Sequence, residues 1–318
     1  MSYDENQHHD PRPRRSRRGV VAVVAAAALV AGGLGGWLVQ RADDGPGGDA
    51  PAGSATSAGK PGDSASPTPA PTRSETLAPP TSSPAPSTSP AKRDLPLAGK
   101  VVVVDPGHNP GNFSHTREIN KQVDIGTNRK ECDTTGTATN AGYREADFTL
   151  DVSRRLRTLL EKQGAKVELT QDDDRPFGPC VDERARFGNE AKADAVVSIH
   201  ADGSAVGNRG FHVILPDRVN AGAADTSKIV GPSRDLGERI AGKFLRATGS
   251  SPSNYVGGGT GLDVRKDLGG LNLSTVPKVF IECGNMRDPE DVALLTSASW
   301  RQKAAQGMAD GISSYLQR

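Results

Sequence analysis

Residues 100–108 read KVVVVDPGH. Four consecutive valines leave no polar alternation, which is the mark of a strand covered on both faces. Outward from it, the same kind of run recurs at 194–200 (DAVVSIH) and 276–283 (VPKVFIEC), with further strands predicted at 166–170 (KVELT) and 210–216 (GFHVILP). Helical periodicity lies between them. Phe148, Val152, Leu156, Leu159 and Leu160 share one helix face, and Gly164 ends that helix. Further helices are expected near 181–192, near 233–247 (Leu236, Ile240, Phe244) and along Trp300, Ala304, Met308, Ile312 and Tyr315. Strands alternating with helices predict an α/β sheet with helices on both faces. Two polar, Gly-rich stretches, 109–142 and 248–275, break the rhythm. Irregular segments of that length are usually functional or disordered. The GGG at 257–259 has no GK[ST] after it, so it reads as a flexible lid and not as a phosphate loop.

The folded part is confined to about 98–318. Ahead of it, 41–97 is mostly Ala, Gly, Ser, Thr and Pro, and no aromatic residue lies between Trp37 and Phe113. Such a tract cannot bury enough apolar surface to offset its ordering entropy, so it is expected to be a flexible linker. Residues 19–40 form an uncharged run of 22 residues, roughly 33 Å as a helix, about one hydrocarbon core. The basic tail 1–18 carries RPRRSRR at 12–18. Arginines in front of the run predict a cytoplasmic N-terminus, a single membrane-spanning anchor and a domain outside the cytoplasm. The alternative is a cleaved signal peptide and a secreted protein. No persuasive small-x-small site lies between Trp37 and Asp44, which favours the retained anchor.

The whole chain carries 39 basic and 38 acidic residues, and the folded part is balanced. Without a basic excess the domain is a poor candidate for nucleic acid, whose binding rests on phosphate neutralisation. A monomer is expected. Of three cysteines, Cys132 and Cys180 lie in polar, loop-like sequence and Cys283 in an apolar strand. Outside the membrane this suggests a Cys132–Cys180 disulfide with Cys283 as a buried thiol; three free thiols are the alternative. No CxxC spacing supports a cysteine metal site.

Chemistry-bearing residues gather at the carboxyl ends of the predicted strands, where α/β sheets place their ligands. KVVVVD runs into His108, DAVVSI into His200 and VPKVFI into Glu282, while Glu145 opens the first helix. Two imidazoles and a carboxylate are a catalytic zinc set that leaves a fourth position open. His108, Glu145 and His200 would be the ligands, with Glu282 as general base and acid. Asp105 could be structural or could orient a ligand. The bland alternative is that these histidines are hydrogen-bonded structural residues. His115, in the polar insertion, and His212, inside a strand, are weaker candidates.

VVVVDPGHNPG, YREADFTLDVSRRL, ELTQDDD…ERARFGNEAKADAVVSIHAD and VPKVFIECGNM occur in this order. Together they resemble the zinc-dependent N-acetylmuramoyl-L-alanine amidases of the Amidase_3 group over nearly all of 98–318. The resemblance implies a single zinc-peptidase-like α/β domain with a mostly parallel, roughly six-stranded sheet. It implies hydrolysis of the amide between N-acetylmuramic acid and L-alanine in peptidoglycan or muropeptides. It maps one zinc ion to His108, Glu145 and His200, and the acid/base to Glu282. There are departures. The usual SIHAN reads SIHAD, with Asp202, and Asn272 stands where many members carry an arginine before the final strand. Substrate contact would then fall to Asn272 or Arg265. The 109–142 insertion is expected to overhang the cleft and limit access. A zinc peptidase on the same polymer, or a catalytically silent wall-binding regulator, are the competing readings; the second would lack a ligand or the acid/base, and all four residues are present.

Overall fold

Six strands form one sheet: β1 (Val101–Pro106), β2 (Lys166–Leu169), β3 (Ala195–Asp202), β4 (His212–Pro216), β5 (Leu262–Arg265) and β6 (Lys278–Asn285). The structure, a computed structural model, describes residues 95–318. The expected basic tail, spanning segment and nearly all of the linker lie outside the described residues. Among the described residues no helix is long and apolar enough to cross a membrane.

The strand order is β2-β1-β3-β6-β4-β5. Every neighbouring pair is parallel except β6 with β4, which is antiparallel. The mostly parallel, six-stranded α/β sheet is as the motifs imply. Five helices of more than one turn accompany it among the described residues: α1 (Glu145–Lys162), α2 (Val181–Glu190), α3 (Val230–Thr248), α4 (Pro289–Leu295) and α5 (Ala298–Leu316). A short hairpin, Gln122–Asp124 with Arg129–Glu131, and a one-turn helix, Thr116–Ile119, give the 109–142 insertion structure of its own.

Strand side chains alternate between faces, and here the alternation divides the molecule. Val102, Val104, Val197, Ile199, Val279 and Ile281 point to one face and form the main core with Phe148, Leu156, Leu236, Phe244, Trp300 and Met308 of α1, α3 and α5. On the opposite face Val103 and Val196 meet Phe187 and Ala191 at α2 in a much smaller cluster. Helices do cover both faces, but unequally.

The folded part starts earlier than expected. Leu97 is fully buried in the main core, and its N–H donates to the Gln163 carbonyl at 2.8 Å. The linker therefore cannot extend to 97; two leucines around one proline, as in DLPLAG, carry no periodicity that would mark Leu97 as core. Cys132 and Cys180 form a disulfide, and Cys283 is a free, buried thiol.

Candidate functional site

The sparsely covered face of the sheet changes character along its strands. Register places Val103 beside Val196 and Val196 beside Lys278, then Asp105 beside Ser198 and Ser198 beside Phe280, then His200 beside Glu282. The sequence of rows runs from apolar, through buried polar, to the candidate site at the carboxyl ends of β3 and β6. Glu145, the first residue of α1, reaches it from the helix start.

His108, Glu145 and His200 converge. One ligand atom from each can be chosen so that all lie within 4.8 Å of one another. His108 Nε2 is 3.2 Å from Glu145 Oε2, and His200 Nδ1 is 3.0 Å from Glu145 Oε1. Local backbone chemistry makes this possible. His108 adopts φ 61°, a left-handed conformation that a non-glycine residue holds only when its surroundings enforce it. A Cβ on Gly107 would fall 2.4 Å from the His200 ring, and one on Gly136 would fall 2.7 Å from His108 and 2.9 Å from Glu145. Both positions exclude a side chain. Phe280 stacks on His200 with ring centroids 5.3 Å apart.

Glu282 borders the same cavity of about 230 Å³ as these three residues, together with Asp202, Ile214 and Arg265. Its Oε2 is buried and has no hydrogen-bond partner. Burial, then the charges of Glu145 and Asp202, push its carboxyl well above the usual range. Burial pulls Glu145 the same way, but the two histidines outweigh it and hold that carboxylate well below its ordinary value. For His108, burial opposes protonation, yet Glu145 and Asp133 raise its pKa. Two carboxyl groups pushed in opposite directions within one cleft suit opposite tasks: Glu145 remains an anionic donor, and Glu282 can hold a proton. Two imidazoles, a carboxylate and an adjacent unpaired carboxyl oxygen fit a divalent metal ion that keeps a position open.

A second, larger cavity of about 580 Å³ adjoins His108 and Glu145; Phe113, Thr135, Thr137, Arg144 and Arg287 contribute to its walls. Residues 134–138 of the insertion thus line the cleft directly. The insertion supplies wall and support there.

The remaining candidates separate. Arg265 reaches the Glu282 cavity, and its guanidinium grips Asp267 at 2.7–2.9 Å. Asn272 does not reach it. Fully buried, it donates to the carbonyls of Lys266 at 3.0 Å and Ile125 at 3.4 Å. Its amide ties two loops together from the short helix Gly269–Asn272. His115 sits beside Phe177 and Glu118. His212 pairs in register with Glu282 and meets the edge of Tyr255, so the strand histidine belongs to the site's surroundings after all.

Sequence reasoning passed over a charged network beneath the site. Asp105 accepts from Arg184 at 2.7 Å, Lys278 at 3.2 Å, Thr170 at 2.6 Å and Ser198 at 2.5 Å. Arg184 also donates to Asp133 at 2.9 Å and to the His108 carbonyl at 2.9 Å. Burial raises the Asp105 pKa, but Lys278 and Arg184 overcome it and hold the carboxylate far below its ordinary range. Lys278 follows Val276 and Pro277 and reads like a strand's solvated edge; nothing in one sequence announces that its ammonium is buried. Asp202, the departure from SIHAN, accepts from the Tyr255 hydroxyl at 2.8 Å.

An α/β sheet with two imidazoles and a carboxylate converging at its strand ends presents a candidate metal site. Comparison with known proteins makes it specific. The Amidase_3 profile, N-acetylmuramoyl-L-alanine amidase, matches residues 102–314, and the chain belongs to that family. An N-acetylmuramoyl-L-alanine amidase of Mycobacterium tuberculosis is 42% identical over 222 residues, which are 69% of this chain and 88% of that protein. The crystal structure of the amidase Ami1 from Mycobacterium smegmatis superposes with a TM-score of 0.63 at 39% identity, covering 69% of this chain and 98% of the other. Apo Ami1 from Mycobacterium abscessus gives 0.63 at 42% identity, covering 69% and 99%.

Proposed function

We propose that this chain hydrolyses the amide between N-acetylmuramic acid and L-alanine in peptidoglycan or muropeptides, with one zinc ion held by His108, Glu145 and His200 and with Glu282 as the proton carrier. The observation that carries the reading is that the three ligand atoms lie within 4.8 Å of one another while Glu282 borders the same cavity. A bound zinc ion supplies Lewis acidity toward the scissile carbonyl and lowers the pKa of water. Glu282 takes the proton of the attacking water and passes it to the departing alanine nitrogen. Its buried setting suits this cycle, because the proton stays on the carboxyl between the two transfers. As an anionic ligand Glu145 would balance part of the metal's charge, and its Oε1 also accepts from the Ala201 N–H at 3.1 Å. Arg265, paired with Asp267, stands at the cavity wall.

The reading extends to the cell envelope. Residues 19–40 anchor the chain in the membrane as a single span, the 1–18 tail stays in the cytoplasm, and the 41–97 tract up to its buried end tethers a monomeric enzyme outside. Anchoring raises the local concentration of the enzyme near the wall.

The test is mass analysis of products from a defined muropeptide. The amidase reading predicts an intact stem peptide with a free alanine amino group, produced only when metal is present. Cuts inside the stem would assign a peptidase instead, and binding without cleavage would assign a silent wall-binding domain.

A further inference from the structure

We propose that Asp133 is a positioning residue for His108, and that the Cys132–Cys180 disulfide acts through it to set the zinc affinity of the site. The inference rests on the zinc reading above.

His108 offers Nε2 toward Glu145, so its other nitrogen decides how the ring is held. Nδ1 lies 3.1 Å from the Thr134 carbonyl oxygen, 3.2 Å from the Thr134 hydroxyl and 3.5 Å from Asp133 Oδ1. All three acceptors come from two consecutive residues of the insertion. An imidazole whose Nδ1–H is directed to such acceptors keeps Nε2 free for a metal and fixes the ring plane.

Asp133 is itself clamped. Its Oδ2 accepts from Arg184 at 2.9 Å and from the Asn112 amide at 3.1 Å, and its Oδ1 accepts from the Thr134 N–H at 2.8 Å. Asp133 and Arg184 are each at least 94% buried. The staple sits next to this pair: Cys132 directly precedes Asp133, and the Arg184 N–H donates to the Cys180 carbonyl at 2.9 Å. Covalent closure therefore joins the two segments that carry Asp133 and Arg184, which pair with each other and meet at His108. Within the insertion, Asp133 and Thr134 support a ligand from behind, while 135–138 face the cleft.

The test measures zinc affinity by chelator competition on the folded, purified protein, for the wild type, Asp133→Asn and the Cys132→Ser/Cys180→Ser double variant. Near-UV circular dichroism establishes the fold of each. Asp133→Asn should weaken zinc binding about 10–100-fold, and the double cysteine variant should weaken it by a smaller factor. A residue that only stabilises the fold would lower the melting temperature of the metal-free protein and leave zinc affinity within twofold of wild type; that result overturns the proposal. If Asp133→Asn does not fold, the double cysteine variant decides by the same twofold criterion. Stoichiometric zinc in the wild type with unchanged variants refutes this inference alone, whereas a wild type that binds no zinc refutes the zinc reading and this inference together.

Discussion

The two faces of the sheet use the same strands for opposite ends. Ile281 and Glu282 are adjacent in β6, yet Ile281 is fully buried in the main core and Glu282 borders the candidate site. The first face carries three helices and an apolar core; the second carries one small apolar cluster, a buried ion network and the convergent histidines. The difference teaches that stability and chemistry are separated here by one residue of register. A single-residue slip of β6 would place Glu282 in the core and Ile281 in the cleft.

The strongest attempt to break that separation is Glu282→Gln. Hydrolysis of a muropeptide should fall about 10²–10⁴-fold with zinc still bound; full activity would remove Glu282 from the mechanism. Next is Asp105→Asn, which strands the Lys278 ammonium beside Arg184. Removing one partner of a buried pair typically costs about 3–5 kcal/mol, measurable by urea unfolding. Ile281→Ala should cost about 2–5 kcal/mol of stability and leave turnover of the folded enzyme nearly unchanged at 25 °C. A large loss of turnover per folded molecule in that variant would mean that the faces are coupled.

Acid and alkali sharpen the comparison further, with opposite signs. Asp105 and Asp133 are held below their ordinary 3.8 despite burial, by Lys278 and Arg184 for the first and by Arg184 and His108 for the second. The stability they contribute is complete above about pH 3.8 and is lost as the pH falls toward their depressed values. Glu282 is raised above its ordinary 4.5 by burial and by Glu145 and Asp202. Below pH 4.5 it is protonated whether the chain is folded or not. As the pH rises above 4.5 the unfolded chain ionises first, so this group destabilises the metal-free fold progressively up to its folded pKa. Metal-free Glu282→Gln should therefore melt higher than wild type at pH 7 and match it at pH 4, the smallest of these effects. Equal melting temperatures at both pH values would show that Glu282 is not strained by its burial.

Much of this was legible in the sequence because it was written as local pattern. The β-branched runs at 101–104 and 195–199 announced strands covered on both faces, and the residues that end them, His108, His200 and Glu282, announced the site. The antiparallel β4 and the burial of Leu97 were not legible, since neither leaves a local signature. The burial of Asn272 was not legible either, because position relative to a family motif says nothing about the direction of a side chain on a one-turn helix. The network of Asp105, Asp133, Arg184 and Lys278 was hidden for a different reason. Asp133, Arg184 and Lys278 each look alone like a solvated charge, and only long-range pairing across 51 to 173 positions reveals the group. His212 shows the same limit: its register opposite Glu282 is a property of the sheet.

The most direct test is a crystal of zinc-loaded protein measured at the zinc absorption edge. The account predicts one anomalous peak about 2.0–2.2 Å from His108, Glu145 and His200, with Glu282 close by but not bonded to the ion. A peak elsewhere, or one with Glu282 occupying the fourth coordination position, would contradict it.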